Sequence, residues 1–181
     1  MKKLFFRKIK SLPIIVLILF AILIFCGVTL VPIIYILLLQ PVQINGKAMA
    51  PTLSDGSMHF ILKGINNVNY VSRGDIIVYK SKTDSKIQYV HRIIGMPGDK
   101  ILLKNSNIYI NGEILEEAYL NQNVETNEDE FLKENQSITV PPDSYFVLGD
   151  NRKNSQDSRH TGFIPKENIV GKIWICYARC Q

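Results

Sequence analysis

From Leu12 to Leu39 the chain runs 28 residues without a charged side chain. A pair of soluble helices would need a polar face, and no polar face breaks this run. About 20 apolar residues at roughly 1.5 Å each cross a hydrocarbon core, so the run has length to spare for tilt, and Pro13 and Pro32 permit an end or a kink. The flank before it carries Lys2, Lys3, Arg7, Lys8 and Lys10 and no acid. The positive-inside rule keeps such a flank in the cytoplasm and sends the chain after Gln40 to the far side. The expected organisation is a basic cytoplasmic tail over 1–11, a single transmembrane helix over 12–39 and an exported domain over 42–181. A cleavable signal sequence is the competing reading, because Ala48-Met49-Ala50 matches an A-x-A site. Against it, the apolar run is about twice the usual length of a signal h-region. Pro51 would also follow the cut, where its ring hinders attack on the preceding carbonyl.

The charge balance narrows the partners. Lys plus Arg number 21 against 16 Asp plus Glu, and five of the basic residues lie in the tail, which leaves a neutral exported domain. A neutral domain carries no nucleic-acid footprint, so the lipid bilayer is the partner that the basic flank indicates. Cys26 falls in the span. Cys176 and Cys180 would be about 13 Å apart on an extended strand, too far to bridge unless the tail folds back. His59, His91 and His160 are isolated from one another and from the cysteines, so no zinc spacing occurs, and metal-free chemistry is the default.

Beyond Val42 the sequence predicts a mainly β domain. Asp75 to Lys80, Ile87 to Ile94, Lys100 to Lys104, Ser144 to Leu148 and Ile169 to Tyr177 are rich in β-branched and aromatic residues, and turn signals separate them. Asn111-Gly112 between Ile110 and Glu113 predicts a tight hairpin, because both residues accept the positive φ of a type I′ turn. Asn121 to Ser137 is crowded with Asn, Gln and Glu and reads as a surface loop or part of a smaller inserted lobe near 100–140.

Three segments stand out chemically: Gly46-Lys47-Ala48-Met49-Ala50-Pro51-Thr52-Leu53, Val90-His91-Arg92-Ile93-Ile94-Gly95-Met96-Pro97-Gly98-Asp99, and Gly149-Asp150-Asn151-Arg152-Lys153-Asn154-Ser155-Gln156-Asp157-Ser158-Arg159. With Arg73-Gly74-Asp75, and in this order after a single anchor, they resemble a type I signal peptidase (signal peptidase I, S26 family). The resemblance implies a membrane-anchored serine endopeptidase built from antiparallel sheets, with no metal or cofactor. Its substrates would be signal peptides of exported preproteins, cut at the outer face of the cell membrane by a serine nucleophile and a lysine base. Such a lysine works only if burial lowers its pKa by several units from about 10.4.

The chain departs from that pattern at both reactive positions. Ala48 aligns with the serine and His91 with the lysine. A methyl group cannot attack a carbonyl. Imidazole, by contrast, titrates near pH 6.5 and needs little tuning to act as a base, and the endoplasmic-reticulum and archaeal branch uses histidine there. The resemblance further assigns Ser155 to the support of the base, and Gly46, Ala48, Met49 and Pro51 to the oxyanion and substrate-binding loop. Arg92 with Asp150, and Asp157 with Arg159, fall to ion pairs that hold the site together. Thr52 and Ser54 are the nearest substitute hydroxyls, displaced from position 48 by more than about 10 Å of near-extended chain. His59 and His160 read as packed or solvated histidines. Three functional readings follow: a signal peptidase that lost its nucleophile to Ala48, an inactive homologue acting in peptide binding or surface-protein and pilus assembly, and an unrelated anchored β domain for adhesion.

Overall fold

The computed structural model describes residues 2–63, 71–121 and 124–180. Helix α1 spans Lys2–Leu38 and runs through both prolines. Its window Val16–Ile33 is long and apolar enough to cross a membrane, with none of it buried inside the protein. The chain from Gln40 onward forms a second compact unit.

That unit is mainly antiparallel β-sheet. In chain order its strands are β1 (Leu39–Gln43), β2 (Met58–Leu62), β3 (Ile76–Lys80), β4 (Gln88–Gly95), β5 (Lys100–Lys104), β6 (Asn107–Ile110), β7 (Glu113–Ile114), β8 (Ser137–Thr139) and β9 (Ser144–Leu148). A one-turn helix α2 (Ser158–Thr161), β10 (Ile164–Pro165) and β11 (Ile169–Ala178) complete it. Seven strands make one sheet in the order β1-β2-β11-β3-β4-β9-β10, and four make a smaller sheet, β7-β6-β5-β8.

The strand composition follows from burial on both faces. Along β9, Tyr145 and Val147 enter one core cluster with Ile77, Tyr79 and Ile93, whereas Phe146 and Leu148 enter another with Ile94, Ile101 and Leu103. Side chains alternate across a strand, so a strand covered on both sides reads as a continuous apolar run. Each fully buried side chain of this size contributes roughly 1.5–3 kcal/mol. The second cluster also takes in Ile108, Ile110 and Leu132, which ties the small sheet to the large one.

Asn111 and Gly112 adopt φ of 55° and 94°, as a type I′ turn requires, and they close the β6–β7 hairpin. The polar segment after Asn121 is less of a free loop than its composition implies: Leu132 is fully buried and Ser137 opens β8. The expectation that Cys176 and Cys180 lie too far apart is corrected. The tail does fold back, through a left-handed turn at Arg179 (φ 54°), and the two residues form a disulfide with Cα atoms 5.9 Å apart.

Candidate functional site

β4 supplies the central histidine. Pairing with β3 sets Ile77 opposite His91 and Tyr79 opposite Tyr89, which leaves Tyr79 diagonal to His91 on the same face. His91 is buried, and each ring nitrogen has one partner: Nδ1 lies 2.8 Å from the Tyr79 hydroxyl and Nε2 lies 3.1 Å from Ser155 Oγ. The Tyr89 ring stacks alongside, 11° from parallel. Burial pushes the imidazole down to about 4, against the pull of the Asp157 and Asp150 carboxylates and with the help of Arg159. The ring is therefore neutral at pH 7.

The segment after β9 is fixed by Asp157. Its carboxylate caps α2 by accepting from the Arg159 amide, accepts the Gly149 amide at 3.0 Å, and pairs with the Arg159 guanidinium at 2.9 Å. Burial would raise this acid, but hydrogen bonds and charge from Arg159, together with the Gly149 amide, outweigh it and hold the group below the usual carboxylate range. Gly149 matters for another reason. A Cβ there would stand 2.2 Å from Ser155 Oγ and 2.7 Å from the carbonyl oxygen of Ala48. Only glycine lets the Ala48 loop and Ser155 crowd onto the same stretch of backbone. Asn151 completes this docking, its amide donating to the Ala48 carbonyl at 2.9 Å and its side chain to the Lys47 carbonyl at 3.0 Å.

A second pair lies beside the first. Arg92 reaches Asp150 through Nε at 2.9 Å and Nη2 at 2.6 Å, and Thr52 Oγ1 donates to the same carboxylate at 2.5 Å. The hydroxyl of Thr52 is thus committed away from His91. The Arg92 guanidinium also sits 4.0 Å over the Tyr119 ring.

Ala48, Met49, Gly46 and His91 line one cavity of about 320 Å³. One wall is residues 42–46 with Ala48 and Met49; the other is Val78, Lys86 and residues 88–91 of β4. β9 pairs with β4 at Arg92, Ile93 and Gly95, so, among the described residues, residues 88–91 keep one edge open beside this cavity. The Gly46 amide donates to Asp55 Oδ1 at 2.8 Å and is spent there. The Ala48 amide donates to nothing among the described residues. Met49 is nearly fully buried, packing with Ile44 and Leu53. Pro51 turns away and lines a different cavity with Asp150, Asn151 and Arg152.

Sequence reasoning missed Tyr79, whose role depends on strand register, and Glu117 with Thr126, which hold Arg152 from the other sheet's connections. His59 is packed, with Nε2 3.0 Å from Ser57 Oγ, and half-buried His160 sits 3.3 Å from Asp129. Among the described residues no group of three His, Cys, Asp or Glu side chains is placed to hold a metal ion.

The chain has relatives among known proteins. Residues 14–178 match the family model described as signal peptidase, peptidase S26, and the chain belongs to that family. Signal peptidase I T of Bacillus subtilis (strain 168) is 41% identical over 138 residues, covering 74% of this chain and 71% of that protein. Signal peptidase I U of the same organism is 38% identical over 168 residues, covering 91% and 86%. A solved signal peptidase I from Enterococcus faecalis V583 is 34% identical with a TM-score of 0.49, over 59% of this chain and 98% of that one.

Proposed function

We propose that this chain is a membrane-anchored signal peptidase I family protein that binds signal peptides of exported preproteins and lacks the family's nucleophile at Ala48. The observation that carries the reading is the open edge of β4 over residues 88–91, facing the cavity shared by Ala48 and His91. An extended peptide entering there adds a strand, so main-chain hydrogen bonds give affinity and the shallow cavity selects small side chains. The basic tail stays cytoplasmic, α1 anchors the protein, and the cavity works at the outer membrane face where translocated segments emerge.

With serine at position 48, a neutral His91 is the base that takes its proton, Ser155 supports the imidazole, and the amide of position 48 becomes an oxyanion donor. Such a donor is worth roughly 3–4 kcal/mol in other proteases. Arg92 with Asp150 and Asp157 with Arg159 hold the two loops in place. We expect Ala48→Ser to cleave a preprotein with an Ala-x-Ala site in detergent, and the starting protein to leave it intact. His91→Ala added to Ala48→Ser should abolish the gain; equal rates would remove His91 from the base role.

Whereas the intact loop residues favour a recent loss of the nucleophile, change at both reactive positions favours a second reading. In it the chain is an inactive homologue that holds peptides during surface-protein assembly. Failure of Ala48→Ser to cleave, with peptide binding retained, would select it.

A further inference from the structure

The loop that carries Ala48 borders two cavities. Ala48 and Met49 line the first with β4, whereas Ala50 and Pro51 line a second, of about 420 Å³, together with Asn121, Val124 and residues 150–153. Asn151 docks the second cavity onto the loop, its amide donating to the Ala48 carbonyl at 2.9 Å and its side chain to the Lys47 carbonyl at 3.0 Å. Ala48 and Ala50 are separated by at most about 7 Å of backbone. An extended peptide in the first cavity therefore reaches the second within about two to four residues.

The charges that line the second cavity do not cancel. Asp150 is paired with Arg92 and accepts from Thr52, and Arg152 donates to Glu117 at 3.1 Å. Lys153 is left over: it is exposed, and its ammonium group meets no carboxylate among the described residues. The rest of the lining combines short apolar surfaces at Ala50, Pro51 and Val124 with the Asn121 amide, a further donor for a carboxylate.

We propose that this cavity is a subsite for an acidic side chain that lies about two to four residues beyond the part of the peptide facing Ala48, and that Lys153 sets the preference. The inference rests on the reading of the chain as a peptide holder and adds a charge requirement to it. The first cavity selects by size; the second selects by charge. A signal peptide ending at its Ala-x-Ala site leaves the second cavity empty, so the uncut precursor is the better ligand.

Binding of labelled peptides to the full-length protein in a nonionic detergent, read by fluorescence anisotropy, tests this without cleavage. The peptides share an Ala-x-Ala site and differ only in aspartate, asparagine or lysine within the stretch that reaches the second cavity. We expect the aspartate peptide to bind about threefold tighter than the asparagine one and the lysine peptide to bind weakest. These differences should vanish in about 1 M salt. Lys153→Gln should erase the order and Lys153→Glu reverse it, whereas Lys104→Glu, an equal charge change on the smaller sheet, should keep it. The unaltered protein decides even if a variant misfolds, because equal affinities for the three peptides overturn the proposal. So does an order that survives Lys153→Glu. A protein that binds none of the peptides overturns peptide holding itself, and this subsite with it.

Discussion

His91 shows how one buried residue writes a pH dependence into the whole fold. Unfolded, it takes a proton below its usual pKa of about 6.5; folded, burial keeps it neutral down to about pH 4. Between those values the unfolded chain binds more protons than the native one, so stability falls as pH falls. The expected loss across that window is about 3 kcal/mol. Urea midpoints at pH 7 and pH 4.5 check it, and His91→Gln should flatten that slope. The motif made the position of His91 legible. Its partnership with Tyr79 was not, because a contact across β3 and β4 depends on which residues face each other, and a one-residue slip would send Tyr79 to the opposite face.

At the scale of elements, β4 and the segment after β9 are joined by Arg92 and Asp150, whose side chains are 10% and 1% exposed. Asp150→Asn keeps the volume but removes the carboxylate paired with the guanidinium in a mostly dry place. Loss of one partner from a buried pair costs about 3–5 kcal/mol. The lower figure is expected, because the Gly74 carbonyl and the Tyr119 ring still hold Arg92. Thermal unfolding of the variant against the parent measures it. Elements with strong local signals were readable: the Asn111-Gly112 hairpin and the β-branched runs of β3, β4, β9 and β11 follow from turn chemistry and apolar composition. β8 was not, since Ser137–Thr139 is three residues of a polar stretch and owes its strand state to pairing with β5. Nor did spacing reveal the buried Leu132, whose place depends on the far side of the second core cluster.

For the molecule as a whole, the sequence separates an apolar helix from a β domain, and the structure has that division near Gln40. The topology it implies has a direct check. Protease added to intact cells lacking outer barriers should digest residues beyond 42 and spare the basic tail, and alkaline carbonate should leave the protein in the membrane. Protection of the β domain would reverse the orientation. The bridge between Cys176 and Cys180 bears on the same question from the opposite end of the chain. Glutathione and thioredoxin keep cytosolic thiols reduced, whereas exported surfaces let such links persist. The curled end of β11 thus acts as a chemical ledger of the compartment it faces: alkylation of the intact protein, before and after a reductant, would read from two sulfur atoms which side of the bilayer the domain matured on.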